Sequence, residues 1–145
     1  MSVETNKEFV KRFFHEAYTQ KDLKAARDML SRDYILNDSA IPNFSGGPET
    51  WEQIQIAFHQ AFPDLRLTIE DIIAEGDFVV TRWMACGTQD GDLPGIPATG
   101  RHMLITGMTL SKIVNDKIEE QWQEWDRFGA LQQLGVSGEL MFMSE

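Results

Sequence analysis

The chain has little cysteine and little positive charge, and each shortage excludes a kind of protein. Among its 145 residues there is one cysteine, Cys86, so no intrachain disulfide can form. The 13 Lys and Arg residues are outnumbered by 23 Asp and Glu residues, which gives a net charge of −10. A surface with this charge repels phosphate groups, and no basic cluster offsets it. We therefore expect no nucleic-acid partner and no anionic-membrane partner.

Long apolar runs are also missing from the sequence. No segment has the roughly 20 apolar residues that a membrane-spanning helix needs, and the N-terminus lacks a cationic-then-apolar signal segment. A cytoplasmic location is the resulting expectation. Apolar residues still make up 42% of the sequence, with nine Phe and four Trp, which is enough for a full core. We expect residues 1–145 to form a single domain, with a core over about 1–136 and a tail over 137–145.

The first part of the chain has the spacing of amphipathic helices. Thr5 and Glu8 are spaced like a capping box, and apolar residues then recur every three or four positions up to Tyr18. Asp22 can cap a second helix, LKAARDML, and Pro48 can open a third. Between the second and third helices, the sequence predicts irregular structure with one short extended piece, YILND.

The remainder of the chain alternates like β-strands. The stretch from Leu65 to Ile73 and the run FVVTRWMACGT are joined by the turn residues Glu75-Gly76-Asp77, which predicts an antiparallel hairpin. The segment QDGDLPGIPATG predicts a long loop, of the kind that often borders a binding mouth. A second hairpin follows it. This order predicts an α+β fold in which three N-terminal helices pack on a curved antiparallel sheet.

The last long strand, KIEEQWQEW, carries two tryptophans whose faces matter for function. Strict alternation places Trp122 on the same face as Ile118, and places Trp125 on the other. An indole on each face indicates a sheet covered by helices on one side and concave around a pocket. We expect Trp122 to face the pocket. Trp125 and Met108 are then expected on the convex face, across which a homodimer should form.

Asp126 ends this strand and is the main candidate for acid or base chemistry. Phe128, Leu131 and Leu134 follow at helical spacing, so the Asp126 side chain can also cap a short helix. Both roles can hold at once, because a capping carboxylate at the end of a strand can still face a pocket.

Other candidate pocket residues have structural alternatives. Arg82 interrupts an apolar strand, so it belongs either to a structural ion pair or to the polar part of the cavity. Asp38 either faces the pocket or forms a turn. Phe14 and Trp51, from predicted helices, and His102, from a predicted strand, are further candidates for substrate binding. The three histidines lack ligand spacing, so we expect no metal site.

A series of short motifs runs in order over most of the chain. The motifs are Phe62-Pro63-Asp64-Leu65, Glu75-Gly76-Asp77 with Val80 and Arg82, Gly87-Thr88, Gly95-Ile96-Pro97, Thr99-Gly100, Lys117-Ile118, Trp122, Asp126 and Gln133-Leu134-Gly135. Together they resemble the SnoaL-like polyketide cyclase family, which has the nuclear transport factor 2-like fold, a cone of helices and a bent sheet that encloses a pocket. The chain departs from the family at Gln89, where members commonly carry a histidine.

The resemblance implies a reaction and a residue. Family cyclases use an aspartate at the end of the last long strand as the general acid/base of an intramolecular aldol closure, and Asp126 matches that position. The implied activity is cofactor-independent acid/base chemistry on an apolar small carbonyl compound, as an aldol-type cyclisation or a related isomerisation or dehydration. Two alternatives stay open: a non-catalytic small-molecule-binding protein, and a dimerisation module of the same fold.

Overall fold

The structure is a computed structural model that describes residues 2–136, so the predicted tail over 137–145 lies outside the described residues. The helices are α1 (Val3–Phe14), extended by a π-helical turn (His15–Thr19), then α2 (Leu23–Arg27), α3 (Gly47–Ala61) and α4 (Arg127–Gln133). The strands are β1 (Leu30–Asp38), β2 (Arg66–Glu75), β3 (Phe78–Thr88), β4 (His102–Val114) and β5 (Lys117–Trp125). The predicted α+β class is confirmed. Over the described range, none of the helices is both long enough and apolar enough to span a membrane.

The five strands form one open sheet in the order β1-β5-β4-β3-β2. All neighbouring pairs are antiparallel except β1 and β5, which are parallel. The prediction of a wholly antiparallel sheet is therefore wrong at one edge. The predicted extended piece YILND belongs to a nine-residue strand that begins at Leu30. The predicted second helix, LKAARDML, is therefore shorter than expected and ends at Arg27. No hairpin links β1 to β5, so no local turn signal indicates the direction of this pair.

The helix starts follow local capping chemistry. The Ser2 hydroxyl accepts a hydrogen bond from the Thr5 backbone N–H at 3.1 Å, so Ser2 caps α1 and the predicted capping box at Thr5 is wrong. Asp22 caps α2 as predicted, and its carboxylate accepts from the Ala25 N–H at 3.0 Å. Pro48 lies in the first turn of α3, where its missing N–H costs no helical hydrogen bond.

A β-bulge in β5 decides which side chains face the helices. The pairing with β4 skips one residue of β5, Glu119, so the alternation changes phase there. Ile118 is fully buried, and after the bulge Gln121 and Trp125 share its inward face. Trp122 therefore points away from the helices and is 37% exposed. The predicted orientations of both tryptophans are wrong, because strict alternation does not account for an extra residue.

A second bulge, at Glu70 in β2, has the same effect. Strict alternation places Ile73 on the face of Leu67 and Ile69. In the structure Ile73 lies on the outer face, the face of the sheet that is turned away from the helices, and is 66% exposed. The two bulges bend the sheet, and the opposite, inner face wraps around the packed side chains of α1 and α3.

Candidate functional site

A cavity of about 380 Å³ lies between the inner face of the sheet and the helices. Most of its wall is apolar, and Leu93, Pro94 and Ile96 of the predicted long loop form part of its rim. The polar side chains that line it are Tyr18, Asp38, Gln55, Gln123 and Arg127, with the indole N–H of Trp125 and Trp83. Within residues 2–136, Asp38 contributes the one carboxylate of this lining.

Asp38 is held in place by three N–H donors. Alternation along β1 turns Tyr34, Leu36 and Asp38 inward, and Asp38 is only 8% exposed. Its Oδ1 accepts from the Ala40 backbone N–H at 2.8 Å, and its Oδ2 accepts from Gln123 Nε2 and Trp125 Nε1, both at 3.1 Å. The carboxylate therefore has a fixed position in the cavity wall, with hydrogen bonds that offset part of its burial.

A directed hydrogen-bond chain leads along the sheet to Asp38. Trp83 Nε1 donates to Thr109 Oγ1 at 3.0 Å, and Thr109 Oγ1 donates to Gln123 Oε1 at 3.0 Å. Gln123 then donates through Nε2 to Asp38. The sheet register creates this order, because Gln123 pairs with Thr109 on one side and with Asp38 on the other. Each donor in the chain points towards the carboxylate, as an acceptor-only ionised aspartate requires.

The helical side of the cavity carries a second polar pair, Tyr18 and Gln55. Both side chains line the cavity, and Gln55 is 7% exposed. Burial raises the pKa of the Tyr18 hydroxyl well above its usual range, and the neighbouring Gln55 side chain opposes part of that shift. Tyr18 is therefore a neutral donor at physiological pH.

Sequence reasoning did not select either member of this pair. Gln55 lies between Trp51 and Phe58 in the buried stripe of α3, and an amide within such a stripe is the sequence signal that could have indicated it. Gln123 and Trp125 were missed because the bulge in β5 reverses their faces.

Asp126 caps α4 but does not line the cavity. Its Oδ1 accepts from the Gly129 backbone N–H at 2.8 Å, and the residue is exposed. Its neighbours Trp125 and Arg127 both belong to the cavity lining, so Asp126 lies beside the rim. The predicted capping role is confirmed, whereas the acid/base role stays a prediction.

The other predicted site residues divide between the cavity and the rest of the molecule. Phe14 lines the cavity together with Asp38. Trp51 is 3% exposed but packs on Phe13, with ring centroids 5.3 Å apart, and does not line the cavity. His102 is exposed on the outer face, where its Nδ1 lies 3.4 Å from Thr88 Oγ1. The expected cavity positions of Trp51 and His102 are wrong.

Arg82 and Trp122 also lie outside the cavity, on the outer face. Arg82 Nε donates to Asp71 Oδ2 at 2.7 Å, so the ion-pair alternative is confirmed and the cavity alternative is wrong. The Trp122 indole packs at a tilt on Phe78, with centroids 6.4 Å apart, and borders a surface groove with Ile35, whose lining also includes Asp38. Its expected role in lining the pocket is wrong for the reason given above, the bulge in β5.

Gln89, at the departure from the family motif, has a structural role. It is fully buried, its Nε2 donates to the Ile96 carbonyl at 3.1 Å, and its Oε1 accepts from Thr99 Oγ1 at 2.8 Å. These bonds hold the loop over residues 89–100 against the sheet. Throughout the part of the chain that the structure describes, no three His, Cys, Asp or Glu side chains are grouped so as to hold a metal ion.

Comparison with known proteins gives the same fold and a family. The model of the SnoaL-like polyketide cyclase family matches residues 8–134. TsrD from Streptomyces laurentii has 26% identity and a TM-score of 0.84, over 94% of this chain and 99% of that chain. IdmH from Streptomyces antibioticus, a proposed polyketide cyclase, has 30% identity and a TM-score of 0.74, over 90% and 99%.

A more distant solved structure shows the fold alone. A protein from Catenulispora acidiphila with a ketosteroid isomerase-like fold has 18% identity and a TM-score of 0.76, over 91% of this chain and 95% of that chain. No functionally curated protein matches the sequence significantly. Because the family model spans most of the chain, from the first helix to the last, this protein belongs to the SnoaL-like polyketide cyclase family.

Proposed function

We propose that the protein catalyses cofactor-independent proton transfer on an apolar small carbonyl compound. The reaction is an aldol-type cyclisation, or a related isomerisation or dehydration. The observation that carries this proposal is the position of Asp38, a fixed carboxylate in the wall of a mostly apolar cavity. Membership of a family of polyketide cyclases supports the reaction class.

In this mechanism Asp38 is the general base and then the general acid. Its carboxylate removes a proton from a carbon between two carbonyl groups, and the electrons of the C–H bond pass to a carbonyl oxygen to form an enolate. The enolate carbon attacks a second carbonyl of the same molecule and forms the new C–C bond. The resulting alkoxide takes back the proton from Asp38, so the sequence balances without a cofactor.

The surroundings of the two candidate aspartates favour Asp38 over Asp126 as the base. Asp38 accepts three hydrogen bonds, and a carboxylate offers about four acceptor positions, which leaves room for a substrate proton. Asp126 is exposed to water beside the rim, and its bond to Gly129 already explains its presence. The cavity lining around Asp38 is also mostly apolar.

A non-catalytic small-molecule-binding protein is the second candidate function. It is favoured by the same three donors, because a carboxylate fixed in this way can serve as a hydrogen-bond acceptor for a ligand that never reacts. The cavity volume of about 380 Å³ and its mostly apolar lining suit such a ligand equally well.

Proton exchange distinguishes these functions without knowledge of the natural substrate. β-Keto esters and anthraquinone-type compounds that raise the melting temperature would be incubated in D2O, and the loss of protium at the activated carbon followed by NMR. We expect wild type to exceed the uncatalysed rate. Asp38→Asn keeps the shape of the side chain but cannot take up and return a proton, so catalysed exchange should fall about 100- to 10,000-fold.

Asp126→Asn is the matched control for this assay, because it makes the same chemical change at the rim. We expect it to keep the wild-type exchange rate. Loss of exchange in Asp126→Asn with full exchange in Asp38→Asn would show that Asp126, beside the rim, is the base instead of Asp38. Compounds that bind but never exchange faster than the background would support the binding protein instead.

A further inference from the structure

The cavity has polar groups on two opposite walls. Asp38 and Gln123 lie on the sheet side, whereas Tyr18 and Gln55 lie on the helical side, in the π-helical turn and in α3. The mechanism above uses only the sheet side. An enolate, however, needs hydrogen-bond donors at its oxygen as well as a base at its carbon.

The backbone at Tyr18 is unusual. Residues His15–Thr19 form a π-helical turn, a rare conformation that often occurs at functional sites. The Tyr18 ring stacks on Phe14, four residues earlier, with centroids 5.9 Å apart and planes at 27°. The His59 ring packs on Tyr18 as well, with its centroid also at 5.9 Å. The Tyr18 side chain is therefore fixed by rings on its own helix and on α3.

Tyr18 and Gln55 are the uncharged side-chain donors that the π-helical turn and α3 contribute to the cavity lining, whereas Arg127 of α4 adds a charged donor. The indole N–H of Trp125 and the amide of Gln123 are committed to Asp38, and the Trp83 N–H is committed to Thr109. Gln55 lines the same cavity as Tyr18, and its amide carries two N–H donors. Both side chains border the apolar cavity, where a hydrogen bond to a developing negative charge is stronger than in water.

We propose that Tyr18 and Gln55 form an oxygen-binding site, and that the Tyr18 hydroxyl donates a hydrogen bond to the substrate carbonyl oxygen as it becomes an enolate. The assignment deepens the proposed function, since it places the reacting carbonyl across the cavity from Asp38. It specifies the ligand class as a planar apolar compound with one acceptor oxygen that faces the helices. The donor role can be tested by binding alone.

The test compares the binding of 2-naphthol, which has an enol-like oxygen, with the binding of naphthalene, which has none. Dissociation constants would be measured by tryptophan fluorescence for wild type, Tyr18→Phe and Gln55→Met. Tyr18→Phe should weaken 2-naphthol binding by about 5- to 10-fold, the effect of one hydrogen bond, and leave naphthalene binding unchanged. Gln55→Met should act in the same direction, and it provides a second variant if Tyr18→Phe folds poorly.

Tyr34→Phe is the matched control, because Tyr34 is the other tyrosine of the chain. Its hydroxyl is buried and donates to Gln121 Oε1 at 2.6 Å, outside the cavity lining. This variant should bind both ligands as wild type does. Equal weakening of both ligands by Tyr18→Phe, or equal affinity of wild type for the two ligands, would overturn the donor role.

The exchange assay separates this assignment from the proposed function. Tyr18→Phe should lower kcat for proton exchange by about 100-fold or more, with a much smaller change in KM, because the donor acts mainly on the developing charge. If Asp38→Asn exchanges protons normally while Tyr18→Phe loses 2-naphthol affinity, the proposed base is wrong and the oxygen-binding site stands. If instead Asp38→Asn loses proton exchange while Tyr18→Phe keeps its affinity for 2-naphthol, Asp38 stands as the base and the oxygen-binding site is wrong.

Discussion

Two neighbouring rows of side chains cross four of the five strands on opposite faces, and each reverses the usual pattern of burial. Across β1, β5, β4 and β3 the inner row is Asp38, Gln123, Thr109 and Thr81, and across β5, β4, β3 and β2 the outer row is Trp122, Leu110, Val80 and Ile73. Polar groups thus face the helices, where apolar residues are the rule, and apolar groups face outwards. Buried polar residues and exposed apolar patches are the departures from ordinary packing that most often indicate function. From this comparison we propose a ligand site at the inner row and expect a protein contact at the outer row.

Three of the four members of the inner row bond to one another, whereas the Thr81 hydroxyl is buried without a hydrogen-bond partner among the described residues. Thr109, Gln123 and Asp38 form a directed chain that also satisfies the buried N–H of Trp83. Without these bonds each buried polar group would cost roughly 1–3 kcal/mol. A sheet with a purely structural role would avoid this cost by carrying apolar residues at these positions.

The outer row suits a second copy of the chain. Ile73 is 66% exposed and Met108, beside the row, is 52% exposed. Two ion pairs on the same face, Arg82 with Asp71 and Lys112 with Glu119, offset part of the net charge of −10 that opposes self-association, although Glu124 lies beside Trp122 on this face. We therefore expect a homodimer across the outer face, with Trp122 at the contact where the sequence had predicted Trp125.

The largest effect expected in this comparison is on the outer row. Trp122→Lys should weaken the dimer by about 30-fold or more, since a central tryptophan of an interface often contributes 2 kcal/mol or more. Gln53→Lys makes the same change of charge on the exposed surface of α3 and should leave the dimer intact. Sedimentation equilibrium measures both. A wild-type protein that is monomeric at micromolar concentration would refute the assignment of the outer row.

A smaller effect is expected when the inner row is broken at Thr109. Thr109→Val leaves the Trp83 N–H and the Gln123 carbonyl without their partner, and should lower the free energy of unfolding by about 1–3 kcal/mol. Thr106→Val makes the same substitution on the same strand but on the exposed face, so its effect should stay within about 0.5 kcal/mol. Urea denaturation of the two variants gives the comparison. Similar losses would mean that the buried chain does not matter for stability.

The smallest effect is expected at Asp126, which belongs to neither row. Asp126→Ala removes the cap of α4 and should cost about 0.5–2 kcal/mol, whereas Asp126→Asn keeps an acceptor oxygen and should cost well under ~1 kcal/mol. Thermal denaturation measures both variants. A loss in Asp126→Asn as large as that in Asp126→Ala would show that the charge matters beyond capping.

The predictable parts of this fold are those that local chemistry determines. Asp22 before α2, Pro48 in α3 and Asp126 before α4 have the positions expected of them, because caps and turns act over three or four residues. The family motifs likewise span short segments, and the α+β class follows from the order of helices and strands.

The faces of the strands were harder to predict. Glu119 and Glu70 are ordinary strand residues in the sequence, and only the pairing with the neighbouring strand makes each of them a bulge. Every assignment beyond Glu119 in β5 was therefore inverted, including the exchange of Trp122 and Trp125. Asp38 was among the candidates, but the bonds that distinguish it come from β5, 85 or more positions along the chain.

The central claim is that the inner row binds a ligand while the outer row binds another protomer, and fluorine-19 NMR of fluorotryptophan-labelled protein tests both halves in one spectrum. The chain has four tryptophans, of which Trp83 and Trp125 line the cavity, Trp122 lies in the outer row and Trp51 lies in the core. We predict that 2-naphthol shifts the resonances of Trp83 and Trp125 and that dilution to the monomer shifts the resonance of Trp122. A Trp122 resonance that responds to 2-naphthol while Trp125 does not would contradict the account.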